Sequence, residues 1–241
     1  MKIKALIHAL TEIEKETGNP VLAIEHDVRE YRNIKHLLHK ITDRFGQIDI
    51  LVNNAAGNFI SPTERLSYKA FDTIVDIVLR GSYYLTLAIG KYWIKNNIPG
   101  NVLSIITTYA STGSGYVVPS SIAKAGVMNL TRSLAAEWGK YNIRLNAIAP
   151  GPFPTKGAWE RLFPDPAMDK ALVKRIPLKR VGEHEELCNL ATYLVSGFSG
   201  YVTGDVITID GGEWLAGAGQ FNFLEKLKSE EWDALQAKRK R

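Results

Sequence analysis

Apolar residues along this chain follow two alternating periods. Ile3, Leu6, Ile7, Leu10 and Ile13 fall at three- and four-residue spacings, the stripe of an amphipathic helix, and Gly18 is a natural stop for it. Residues 21–24 form a short apolar run that predicts a strand ending at Asp27. Ile34, Leu37, Leu38, Ile41 and Phe45 predict a second helix closed by Gly46, and residues 48–52 a second strand. Ser67 is placed to cap a long helical region that carries Phe71, Ile74, Val75 and Val78 and runs on toward Trp93. Residues 102–106 are apolar and rich in β-branched side chains, as in a strand buried on both faces. Pro119 suits the first turn of a helix reaching about Trp138. Residues 143–148 predict a strand, which Pro150-Gly151-Pro152 breaks. Short helices are expected over 155–175, a helix over 183–195, and a last strand over 206–209 before Gly211-Gly212.

Strands alternating with helices imply right-handed crossovers and a doubly wound, parallel α/β sheet of Rossmann-like type. No repeat or linker interrupts the pattern, so a single domain is expected. In such sheets ligands bind beyond the carboxyl ends of the strands. That rule groups Asp27, the run Asn53-Asn54-Ala55-Ala56-Gly57-Asn58, Tyr109 and Pro150-Gly151-Pro152 along one rim.

Candidate chemistry lies at the third of those loops. Tyr109 follows a strand, and Ser120 and Lys124 stand four apart, on one face of the next helix. A phenol, a hydroxyl and an ammonium brought together suit proton donation and oxyanion stabilisation. The same three residues scattered on a solvated surface would do nothing, and spacing alone leaves both readings open.

Composition narrows the setting. With 241 residues, 45% of them apolar, the chain can bury a real core. One cysteine, Cys188, excludes a disulfide framework, and its place in a helical pattern reads as core. No apolar run approaches the roughly 18 residues of a membrane span, and residues 1–17, periodic and charged throughout, are not expected to act as a signal peptide. The net charge of +5 suits phosphate-bearing ligands, without any nucleic-acid motif.

The order of motifs resembles the short-chain dehydrogenase/reductase family. They are Asn-Asn-Ala-Ala-Gly at 53–57, Ser104 on a strand, Lys124 in a helix, Pro-Gly-Pro at 150–152 and Asp-Gly-Gly at 210–212. Most of that family carries tyrosine four residues before the lysine, where this chain has Ser120; its Tyr109 lies upstream, in Thr-Thr-Tyr-Ala-Ser-Thr-Gly-Ser-Gly. That arrangement, with residues 54–67 and 154–162, is similar to the 2,4-dienoyl-CoA reductases, which reduce conjugated dienoyl thioesters with NADPH in the breakdown of unsaturated fatty acids. The resemblance implies a catalytic set of Tyr109, Asn58, Ser120 and Lys124, with Tyr109 and Asn58 on the thioester oxygen and Lys124 on the nicotinamide ribose. It implies cofactor contacts from Asp27, Asn54, Ala55, Ala56, Lys124, Pro150, Gly151, Pro152 and Phe153. For acyl-CoA it implies Arg29, Phe59, Ser67 and Arg161. Asp27 reads equally as a helix N-cap, and Arg29 and Arg161 as solvated arginines. A homotetramer is also implied, with a bacterial-type cytoplasmic or mitochondrial matrix setting.

Two departures qualify the resemblance. The family's first strand, Gly-rich turn and helix, which seat a pyrophosphate on a helix N-terminus, have no counterpart in these residues, so an N-terminally truncated sheet is expected. Arg80 occupies a position where many members have asparagine, and arginine cannot accept a hydrogen bond there. Another short-chain reductase of acyl thioesters and a truncated, inactive scaffold are the alternatives. The missing turn favours the scaffold; the absence of tyrosine at 120 disfavours a carbonyl substrate.

Overall fold

The computed structural model describes residues 3–155 and 166–239. The elements are α1 (Ile3–Thr17), α2 (Tyr31–Phe45), β1 (Ile50–Asn53), α3 (Tyr68–Val75), a π-helical segment (Asp76–Arg80), α4 (Gly81–Asn96), β2 (Gly100–Ile105), α5 (Tyr109–Thr112), α6 (Val118–Trp138), β3 (Ile143–Pro150), α7 (Pro166–Arg175), α8 (His184–Val195), β4 (Val206–Ile209), α9 (Glu213–Ala218) and α10 (Ser229–Arg239). They divide into two compact units, Met1–Pro150 with His184–Ile209, and Gly151–Glu183 with Asp210–Arg241.

The first unit holds a parallel sheet in the order β1-β2-β3-β4. Alternation along β2 and β3 sends successive side chains to opposite faces. Val102 and Leu145 pack with Ile89, Trp93, Ala135 and Trp138 from α4 and α6. Leu103 and Ile148 pack with Leu194 from α8 on the other face. With helices on both faces, the middle strands are buried along nearly their whole length, and this is the doubly wound arrangement expected of an α/β chain of this pattern. Trp93 is fully buried, and its indole N–H donates to the Ile48 carbonyl at 2.6 Å. Close helix packing depends on glycine at position 90, where a Cβ would stand 2.3 Å from the Trp138 ring.

Three expectations need correction. Residues 21–24 are not a strand. A strand exists only by pairing its backbone with a neighbour. The described sheet ends at β1, so this run has none, and Ile50 and Val52 of β1 are correspondingly 43% and 50% exposed. Cys188 is exposed rather than core. Leu187, Ala191 and Leu194 turn toward the sheet at helical spacing, and Cys188 lies about 100° away from Leu187 on α8. Asp27 does not cap α2: Glu30 stands at the N-cap.

The second unit packs α9 and the segment 222–226 around an apolar cavity of about 610 Å³, lined in part by Pro177, Leu215, Phe221, Leu224 and Trp232. Ion pairs from Arg175 to Glu213 and from Lys179 to Glu225, both 2.6 Å, tie its parts together.

Candidate active site

Parallel register sets the geometry of the rim. Asn53 lies opposite Ser104, Ser104 opposite Ala147, and Pro150 opposite Ile209. The segments that follow β1 and β2 therefore leave the sheet at one level, as the sequence pattern requires.

Tyr109 opens α5, four residues after β2 ends. Its half-buried phenol lies 3.3 Å from the Ser120 hydroxyl, in the first turn of α6. The neighbouring Ser121 hydroxyl donates to the Tyr109 carbonyl at 3.1 Å. One turn along α6, the Lys124 ammonium donates to the Ile105 carbonyl at the end of β2. Ser120, Ser121 and Lys124 are all buried. Burial away from water pushes the Lys124 pKa down from 10.5 to about 8. The structure thus brings Tyr109, Ser120 and Lys124 together. Ser121 was not anticipated, although its spacing of three from Lys124 could have suggested it.

Asn58 is exposed, in the loop after β1. That loop is tied to the glycine-rich segment following α5, where the Ser61 N–H donates to the Tyr116 carbonyl at 2.9 Å. Asn54, Ala55, Ala56 and Phe59 are exposed in the same loop. Asn53, at its root, is buried and donates to Thr86 Oγ1 at 2.9 Å and Ser104 Oγ at 3.4 Å, while its Oδ1 has no partner among the described residues.

Asp27 and Arg29 face each other. The Arg29 guanidinium is bidentate on the Asp27 carboxylate, with Nε to Oδ1 at 2.9 Å and Nη2 to Oδ2 at 2.6 Å. Those hydrogen bonds hold the Asp27 pKa down to about 2. The Ser67 hydroxyl caps α3, accepting the Ala70 N–H at 3.3 Å. Arg80 is exposed and pairs with Asp76 at 2.7 Å, so its guanidinium is engaged along its own helix. Pro150 ends β3; Gly151, Pro152 and Phe153 belong to the second unit, where the Pro152 carbonyl accepts the Gly182 N–H at 3.0 Å. A Cβ at Gly151 would lie 2.6 Å from the Asp210 Cβ, which restricts the position to glycine. Arg161 lies outside the described residues.

The enoyl-(acyl carrier protein) reductase family model matches residues 3–213. An uncharacterized oxidoreductase of Caenorhabditis elegans is 40% identical over 237 residues, covering 96% of this chain and 76% of the relative. A probable 2,4-dienoyl-CoA reductase of Bacillus subtilis is 41% identical over 211 residues, covering 86% of this chain and 83% of its own. The crystal structure of a short chain dehydrogenase from Bacillus anthracis superposes with a TM-score of 0.79 at 42% identity, covering 88% of this chain and 83% of that one.

Proposed function

The chain belongs to the short-chain dehydrogenase/reductase family, and on that premise we propose that it reduces 2,4-dienoyl-CoA thioesters to enoyl-CoA with NADPH. The coarser statement follows from membership itself: an oxidoreductase whose fold serves a nicotinamide cofactor. The observation that carries the finer reading is the placement of Tyr109. In this site the phenol comes from α5 and meets a serine at position 120, at 3.3 Å. A reductase of carbonyl groups needs its acid directly beside the hydride donor. Reduction of a conjugated thioester instead needs an oxyanion site displaced from the carbon that accepts hydride.

Each residue then has a task. The reduced nicotinamide supplies the hydride, to the far end of the conjugated system. Negative charge runs through the double bonds to the thioester oxygen, where the Tyr109 hydroxyl and the Asn58 amide donate hydrogen bonds. Such donors, aimed where charge develops, are a large electrostatic term in catalysis. Water then supplies the proton that reaches carbon, so that hydride and proton together reduce one double bond and complete the enoyl product. Lys124 fits the nicotinamide ribose, because its ammonium has three donors and the bond to the Ile105 carbonyl uses one. Asn54 to Ala56, exposed at the rim, fit an adenosine ribose, and Asp27 with Arg29 fits the adenine end and coenzyme A phosphates. Gly151 to Phe153, after β3, fit the nicotinamide loop. Assembly as a homotetramer belongs to the same reading, and light scattering of the purified chain tests it.

The decisive assay compares NADPH oxidation with a 2,4-dienoyl-CoA and with a 3-oxoacyl-CoA. Turnover of the dienoyl substrate alone is expected, and Tyr109→Phe should lower kcat by roughly two to three powers of ten. Preference for the 3-oxoacyl substrate would reject the reading, and near-wild-type turnover by Tyr109→Phe would reject the role of that phenol.

A further inference from the structure

Helix α5 has only the four residues Tyr109–Thr112, and Gly113 ends it with φ of 78°. A single turn is too short to hold its own shape, since helix nucleation is unfavourable and one turn gains little to offset it. Yet it carries the phenol on which the proposed reaction turns. Something outside α5 must fix it.

The fixing comes from the first turns of α6. Ser120 reaches the phenol of Tyr109 at 3.3 Å, and Ser121 reaches the backbone carbonyl of the same residue at 3.1 Å. Consecutive helical residues point about 100° apart, so the two hydroxyls bracket Tyr109 from its two ends. Lys124 adds a third hold on the same segment, at the Ile105 carbonyl where β2 ends. Ser121 is buried, so its hydroxyl bond is shielded from competing water. Of these three residues, Ser121 touches neither the phenol nor any group assigned to cofactor or substrate.

We propose that Ser121 is a positioning residue: its hydrogen bond to the Tyr109 carbonyl locks α5 so that the phenol stands where the thioester oxygen is to be met. The inference rests on the dienoyl reductase reading for its kinetic consequence, but not for the lock itself. Removing the hydroxyl leaves the Tyr109 carbonyl its second partner, the Gly113 N–H at 3.0 Å. No acceptor is orphaned, and the fold survives the change. What is lost is the direction of the phenol, and small misplacements of a reacting group are costly in rate.

The test is a double-mutant cycle in the full chain with two readouts. Wild type, Ser121→Ala, Tyr109→Phe and the double variant are assayed for dienoyl-CoA reduction, and amide hydrogen exchange is followed at Gly113. Ser121→Ala should lower kcat about tenfold with the KM for NADPH held within about twofold, and Ser121→Thr, which keeps the hydroxyl, should recover most of it. In the Tyr109→Phe background the same substitution should change kcat by less than about twofold, because the group being aimed is gone. Exchange at Gly113 should accelerate in Ser121→Ala, since the turn it closes has lost its anchor. Equal losses of kcat in both backgrounds, or unchanged exchange at Gly113, would overturn the proposal. Wild-type turnover in Tyr109→Phe would instead reject the catalytic reading, and the exchange result alone would then decide the lock.

Discussion

Lys124→Met should stabilise the protein at neutral pH, by an amount that disappears as the solution becomes alkaline. Lys124 is buried, and its pKa is pushed down from 10.5 to about 8 by loss of water around the ammonium. The difference of about 2.5 units corresponds to about 3 kcal/mol favouring the unfolded chain at pH 7. There both states carry the proton, but the folded state holds the cation at a cost. Between pH 8 and 10.5 the unfolded chain keeps a proton that the folded chain has released. Stability therefore rises with pH across that window, and the penalty is gone above it. Methionine matches the unbranched stem without the charge. It also forfeits the charge-assisted bond to the Ile105 carbonyl, worth about 2 kcal/mol. The net gain at pH 7 is about 1 kcal/mol, or about 2–4 °C in Tm for a chain of this size. Urea unfolding of both proteins at half-unit steps from pH 7 to 10.5 reads the difference directly, because all other titrating groups are shared and cancel. A gap that does not narrow with pH, or a wild type more stable at pH 7, would refute the reasoning.

Two further outcomes follow from the geometry. The Asp27 carboxyl should titrate near 2 by NMR, and Arg29→Ala should raise it only part of the way toward the ordinary range near 4, because the backbone N–H of residue 29 still donates to Oδ1 at 3.0 Å; a midpoint that does not move would show that the Arg29 side chain is not the cause. Because the pair is exposed, its effect on stability should be small; the little it contributes is present above pH 4 and lost as pH falls through about 2. Gly90→Ala should destabilise by about 1–3 kcal/mol in thermal unfolding, since its Cβ would meet the Trp138 ring at 2.3 Å, and Trp138→Leu should relieve part of that cost.

Periodicity reached what packing enforces. The i, i+3, i+4 stripes of α2 and α8 and the apolar runs of β2, β3 and β4 were legible because each buries a face, whereas the stripe of α1 forms a helix although Ile7 and Ile13 are 57% and 47% exposed. The two-sided burial of Val102 and Leu103 explains why β2 shows no alternation of polar and apolar residues. Legibility failed where pairing or very short range decides. Residues 21–24 have the composition of a strand, but composition cannot supply a neighbour. Helix α5 spans four residues, less than any periodic signal needs. The π-helical segment Asp76–Arg80 keeps the helical stripe of its neighbours, so nothing in the spacing marks it. Cys188 was misplaced because cysteine is read as apolar, while the phase of Leu187, Ala191 and Leu194 settles which side of α8 is inward.

The site was legible for a different reason, and α6 shows it best. The buried face of a helix against a sheet should be apolar, and from the middle of α6 onward it is except at Thr131: Val127, Ala135 and Trp138 pack into the core, and the Thr131 hydroxyl is satisfied by the Val127 carbonyl of its own helix. In its first turns the buried positions are Ser120, Ser121 and Lys124, with Pro119 before them and Ala123 among them. Burying an ammonium with no carboxylate partner among the described residues, where an alanine or leucine would fold better, is a local rule broken at a cost of kilocalories. Such violations are tolerated where the group serves something other than stability. Here they coincide with the carboxyl ends of β1 and β2, the place where an open α/β sheet receives its ligand. The polar half of α6 is therefore the part of the chain that folding alone would not choose. It is also the part that holds Tyr109 from both ends.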